Sequence, residues 1–386
     1  MTGRFHAFNL AEELSRNADV SVTLHTTYPK RAVRRFIQTE NLTVRSCTLC
    51  ELLFRFLKPL EKIFGLLPWR AYRFCFLFFQ QTLLKRNEYD VFIGFAGVSQ
   101  PALEYLKKRN VLKILERGST HILFQQQQLR FAHHMSGELP TPTIPAEAIK
   151  AELAEYELAD IISTPTAFTK STFIEHGVEP SKIMMANYGT NIQAFEERYD
   201  LRCSKYTFCF SGYGSSRKGF GMLLDATKNL EQLDFQLFHF GGISDFMERK
   251  LKDTSPTNIL RFGNLAQTEL PQRYNECHCL ILPSFEEGFA TVLLQAAACG
   301  LHIIATVNSG AGELKTHFPD RVTLVELGSQ DELEKAMKQA ISKGYGRHAE
   351  QSSHMGDLRE RITWEQYAKN YLNVFKHNIE NEDHGV

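Results

Sequence analysis

Residues 283–300 read PSFEEGFATVLLQAAACG, and their types and order suit an anionic, hydroxyl-rich ligand. Glu287 stands in a turn with Gly288, and the apolar stretch 290–299 predicts a buried helix closed by Gly300. A helix start offers unpaired N–H groups and the positive end of the helix dipole. The stretch 287–291 is therefore suited to meet an anionic, polyhydroxylated ligand. A second cluster lies upstream, where 211–219 read SGYGSSRKG. Gly212 and Gly214 let the backbone approach a ligand closely, and Arg217 and Lys218 can neutralise a diphosphate. A third loop, FGNL at 262–265, carries Asn264 and Leu265 ahead of a helix that Thr268 can cap. In the first half, LERGSTH at 115–121 places Arg117 and His121 at the end of a strand.

These loops need strands and helices to hold them. Strand-like runs at 20–25, 42–47, 90–95, 111–116, 160–164 and 183–188 alternate with helix-like segments. The same alternation recurs with strands at 206–211, 235–240, 259–262, 279–282, 302–306 and 322–326. The pattern predicts an α/β chain of two doubly wound domains joined near 189–195, and 386 residues suffice for two cores. Ligands in such sheets bind at the carboxyl ends of the strands, so facing domains create a cleft. Residues 363–376 read as an amphipathic terminal helix.

Composition narrows the function class. Residues 1–134 hold 20 Lys and Arg against 10 Asp and Glu, so the remainder carries the opposite excess. A basic first half suits an anionic acceptor or an anionic membrane surface. No apolar run approaches the length of a membrane span, and the N-terminus lacks a secretory pattern. Scattered cysteines predict reduced thiols in the cytoplasm. Cys47 with Cys50, and Cys277-His278-Cys279, lack a second half at zinc-site spacing, so no metal is expected. No G-x-G-x-x-G opens a helix, which argues against a nicotinamide dehydrogenase. Nucleic acid is not an expected partner.

The run at 283–300 closely resembles the donor-sugar motif of the retaining GT-B glycosyltransferases of family 4, in which one glutamate is followed eight residues later by another. Gln295 takes the second position here. Lys218-Gly219 matches the end of the family's glycine-rich turn, where Tyr213 replaces a frequent arginine, and 300–314 matches the next strand and turn, with His302 for a usual proline. Residues 152–195 match as well. The resemblance implies a GT-B fold of two Rossmann-like domains facing a cleft. It assigns 1–190 to acceptor binding, 191–362 to the nucleotide sugar, and 363–386 to a helix packing back on the first domain. It implies transfer from a UDP-, GDP- or ADP-sugar to a glycan or lipid-linked acceptor, with retention and without a cofactor. Glu287 would hold donor hydroxyls, the amides of Phe289, Ala290, Thr291 and Val292 sugar and phosphate oxygens, Arg217 and Lys218 the leaving diphosphate, loop 262–265 the base, and Gln295 the ribose. A cleft histidine near the anomeric carbon would be His121, with Arg117 the other candidate.

Two features sit apart from this scheme. The helix at 5–14 has no strand before it, so the first strand of the first domain is expected to be missing, most simply by truncation upstream of Met1. Residues 51–86 pack Phe54, Phe56, Phe64, Phe74, Phe76, Phe78, Phe79, Trp69 and Tyr72 among seven basic residues. That mixture suits a peripheral membrane contact or an acceptor-lining helix pair. The departures at Tyr213, Gln295 and His302 keep a second hypothesis in view: an inactive paralogue serving as a scaffold in glycan assembly.

Overall fold

The computed structural model describes residues 6–37, 39, 41–49, 52, 56, 84, 88–139, 144–190, 192–346, 359, 360 and 362–383. The proposed membrane-contact segment therefore lies almost wholly outside the described residues. Every one of the twelve expected strands is present, in two Rossmann-like units. The second unit is one six-stranded parallel sheet: β7 (Tyr206–Ser211), β8 (Phe235–Phe240), β9 (Ile259–Gly263), β10 (Cys279–Leu282), β11 (His302–Thr306) and β12 (Val322–Val325). Its spatial order is β12-β11-β10-β7-β8-β9. Strand β7 (YTFCFS) is buried at every residue, as an apolar strand covered by helices on both faces must be. Its Phe208 and Phe210 are fully enclosed, each stabilising the fold by about 1.5–3 kcal/mol.

The order of this sheet fixes the site. Connections run outward in both directions from β7 and β10, so their carboxyl ends flank the topological switch point, where open α/β sheets bind ligands. The turn 212–219 leaves β7, and the turn 283–290 leaves β10. Helix α10 (Thr291–Ala298) follows the second turn. One local expectation fails: the helix after β9 runs Leu270–Asn275, and Thr268 does not cap it. Pro271 lies in its first turn, and the carboxylate of Glu269 accepts from the amide of Ala266 (2.7 Å), closing the loop instead.

The first unit is divided. Strands β1 (Val22–Thr26) and β2 (Leu42–Ser46) form one parallel pair. Strands β3 (Val91–Phe95), β4 (Leu112–Glu116), β5 (Ile161–Thr164) and β6 (Ile183–Met185) form a separate parallel sheet in that order. A strand joining the two sheets is not among the described residues. Both flanking strands are only half-buried over most of their length, unlike β7. Helix α1 (Ala7–Ser15) spans the division: Leu10 and Leu14 pack in one cluster with Val22 of β1 and with Val91 and Ile93 of β3.

The terminal helix, Trp364–Asp383, continues well beyond the expected 376 and packs on α1 and the first unit. Its anchor is Glu116 at the end of β4. This buried carboxylate accepts from the hydroxyls of Tyr188 and Tyr367 (3.0 Å each) and of Tyr371, and lies 3.3 Å from His6. Burial, then the Glu116 charge, pushes the Tyr188 and Tyr367 phenols well above their ordinary range, so they stay protonated donors.

Unpaired strand edges exchange their amide hydrogens readily. Among the described residues β1 and β3 each have one unpaired edge, so hydrogen exchange read by mass spectrometry should find them less protected than β7. Equal protection would show that another segment covers those edges.

Candidate functional site

Two turns meet at the switch point, and backbone contacts lock them together. Gly219 has φ of +66°, and a Cβ there would lie 2.0 Å from the carbonyl oxygen of Pro283, so only glycine fits. The amide of Phe285 donates to the carbonyl of Arg217 (2.8 Å). Asn308, just past β11, completes the frame. Its side-chain amide donates to the carbonyl of Phe285 (3.0 Å), and its own carbonyl accepts from the amide of Glu287 (3.0 Å).

This frame brings four charged side chains together. Lys218 pairs with the carboxylate of Glu287, and an Arg217 terminal nitrogen lies 3.9 Å from the other carboxylate oxygen. Nε of Arg217 donates to Glu286 at 2.9 Å. The two carboxylates are buried, whereas the Arg217 and Lys218 side chains keep 35% and 22% of their surface exposed. The cations are thus held in place by acids behind them and present their remaining donors outward. Among the described residues, the amides of Gly288, Phe289, Ala290 and Val292 have no protein acceptor, leaving the entry to α10 able to receive oxygen ligands.

Glu286 was not singled out from sequence, yet it ties the two units together. Its carboxylate accepts from both hydroxyls of Ser119 and Thr120, from the Thr120 amide (3.3 Å), and from the side-chain amide of Gln125 (3.2 Å). Burial alone would raise its pKa, but Arg217, then the Ser119 and Thr120 hydroxyls and Arg117, outweigh that and pull it to about 2. Close backbone contact reinforces the junction: a Cβ on Gly288 would lie 1.9 Å from the carbonyl oxygen of Gly118. The Thr166 hydroxyl donates to the carbonyl of Gly288 (3.2 Å), and Phe289 meets Tyr188 edge-to-face at 5.6 Å. The doublet Glu286-Glu287 and the Ser119-Thr120 pair were the only sequence signals of this link.

Of the other residues singled out, Gly212, Gly214 and Asn264 lie along the same edge of the sheet. Gly214 donates to the carbonyl of Gly242 (2.8 Å), and Asn264 is exposed beside Leu265, which is partly packed against the core. Gln295 is buried on α10, where its side-chain oxygen accepts from Tyr274 (3.4 Å). His302 is buried in β11, bonded to the Thr323 hydroxyl (2.8 Å) and stacked on Tyr345.

His121 stands apart from this group. It is 2% exposed, caps the helix Ile122–Ser136 by accepting from the Leu123 amide (3.3 Å), and stacks on His176 at 4.4 Å. Burial first, then His176 and Arg117, lowers its pKa to about 3, which keeps the ring neutral. Arg117 is nearer the charged cluster: it pairs with Glu152 (2.7 Å) and donates to Gln125 (3.0 Å), which bonds Glu286.

Residues 191–358 match the family Glycosyl transferases group 1. Among curated proteins, the chain is 23% identical over 158 residues to the processive diacylglycerol alpha-glucosyltransferase of Acholeplasma laidlawii, a match covering 37% of this chain and 47% of that one. The chain thus spans about half the length of that relative. Among solved structures it is similar to sucrose-phosphate synthase of Thermosynechococcus elongatus (TM-score 0.67, 17% identity, 96% and 92% of the two chains). It is also similar to Anabaena HepE in complex with UDP (TM-score 0.65, 13% identity, 98% of both chains). The architecture is therefore the GT-B fold expected from sequence.

A carboxyl held at about 2 stabilises the folded state at every pH above its ordinary value of 4.5, and that contribution disappears as the pH falls toward 2. Denaturant titrations from about pH 5 to about pH 2 should show wild type losing roughly 3 kcal/mol more than Glu286→Gln. Parallel losses in the two proteins would show that Glu286 carries no such linkage.

Proposed function

We propose that this protein is a glycosyltransferase of group 1, moving a sugar from a nucleotide diphosphate sugar to a glycan or lipid-linked acceptor. The observation that carries this reading is the pairing of Arg217 and Lys218 with Glu286 and Glu287 at the switch point of the second sheet. The family match over 191–358 contains all of these residues and supports the same reading. The Acholeplasma relative, named for glucosyl transfer to diacylglycerol, favours a lipid-linked acceptor. The HepE structure holds UDP, which places a uridine nucleotide first in the donor panel.

In this reading the donor diphosphate lies over the turn 212–219, and Arg217, Lys218 and the α10 amides offset the charge that builds on the leaving group. Glu287, fixed by Lys218 and by the Asn308 carbonyl, accepts from donor-sugar hydroxyls. Gln295 holds a ribose hydroxyl where the family has glutamate; an amide both donates and accepts, without the strength of a charged acceptor. The reaction follows the family 4 pattern: retention, with the acceptor hydroxyl arriving on the face the diphosphate leaves and no side-chain nucleophile. Burial and capping by His121 speak against direct contact with the reacting carbon, so positioning on that side falls to the 117–120 loop. The enzyme works at the cytoplasmic side, with residues 51–86 touching an anionic membrane face. No described helix is long and apolar enough to cross a membrane.

The test is a donor panel of UDP-, GDP- and ADP-sugars assayed by release of the nucleoside diphosphate. One donor should turn over. Lys218→Ala should lower that rate at least about a hundredfold, the scale for losing a preorganised charge stabiliser, and Gln295→Glu should retain it. Unchanged turnover in Lys218→Ala, or no release from any donor, would refute the assignment.

A further inference from the structure

We propose that Tyr213 is the platform on which the base of the bound nucleotide stacks. The inference rests on the nucleotide-sugar reading and names a residue of that site. Three neighbouring strands, β7, β8 and β9, each run into glycine at the carboxyl edge: Gly212, Gly241 and Gly263. Backbone bonds hold these exits side by side, with the Gly212 amide on the Phe240 carbonyl (2.8 Å) and the Gly241 amide on the Gly263 carbonyl (2.7 Å). The packing is close enough that a Cβ on Gly241 would lie 2.1 Å from the Gly212 oxygen. The result is a bare backbone shelf. Beyond their own chain neighbours, Gly212 (φ +139°) and Gly263 (φ +68°) have no atom within 4 Å of where a Cβ would project, so the space beside them is open.

One large side chain stands on this shelf. Tyr213 is 56% exposed, in a unit whose aromatic residues are otherwise mostly buried. Its ring edge lies against Gly242, where a Cβ would come within 3.2–3.3 Å of two ring carbons, so the glycine makes room for the ring. The ring thus rests on backbone and keeps much of its surface open. Four and five residues further along are Arg217 and Lys218, the cations assigned to the diphosphate, and Asn264 stands next to the shelf with polar groups for a base edge. An open planar ring on one side of a phosphate-directed turn, beside a free amide side chain, matches the layout of a nucleoside diphosphate: base, then charge. Stacking also offers a physical reason for an aromatic at this position, where an arginine would add a third cation.

Calorimetric titration of the full chain with UDP, GDP, ADP and inorganic pyrophosphate separates the contributions. Stacking of one base on an aromatic ring supports a roughly five- to hundredfold gain in affinity. Tyr213→Ala should weaken the preferred nucleoside diphosphate by that factor while leaving pyrophosphate affinity unchanged, and Tyr213→Phe should bind like wild type. If wild type binds a nucleotide and Tyr213→Ala binds it equally well, the platform is refuted and the nucleotide-sugar reading stands. Equal losses for nucleotide and pyrophosphate would also refute it, because the substitution would then be acting on the whole turn. If wild type binds none of the nucleotides, both the reading and the platform fall.

Discussion

The structure turns on a carboxylate placed where a carboxylate is costly. Taking an ion such as Glu286 out of water carries a penalty of several kcal/mol unless its lone pairs are matched. Here they are matched from both domains: Ser119, Thr120 and Gln125 donate from the first, and Arg217 from the second. The same contact that offsets desolvation therefore joins the two domains and fixes the guanidinium. Removing the partners on either side would leave a buried charge, so the charged cluster and the domain junction are energetically one object.

Much else follows from that junction. Gly288 abuts Gly118 because no side chain can stand between loops held this close, and the Thr166 hydroxyl meets the Gly288 carbonyl. With Glu286 holding Arg217, Lys218 is left to Glu287, and both cations stay partly exposed. Their charge is balanced by acids on the protein side, so a diphosphate would replace water at donors already oriented. That is electrostatic preorganisation: the charges need no rearrangement when a leaving group becomes more negative.

Strand periodicity and motif order made the architecture legible, because buried parallel strands are short apolar runs and each is followed by a loop at the same sheet edge. The turn 212–219 and the run from Glu287 to Gln295 could be read for the same reason: glycine, paired cations and a helix start have local meanings. Glu286 had none. Its role depends on Ser119 and Thr120, more than 160 residues away, and no local pattern reports such a partner. His121 is the converse case: its place beside a strand end was legible, but not that its nitrogen caps a helix and its ring packs on His176. The half-buried state of β1 and β3 was not legible, because a short apolar run reads the same at the edge of a sheet as at its centre.

The central claim is that a nucleoside diphosphate occupies the switch point between β7 and β10. Hydrogen exchange in the presence and absence of saturating nucleotide tests it most directly, since it reports location without requiring the acceptor. The account predicts new protection concentrated in 212–219 and 283–292, with little change in β1 and β2. Protection confined to other parts of the chain, or none at a concentration where binding is saturated, would contradict it.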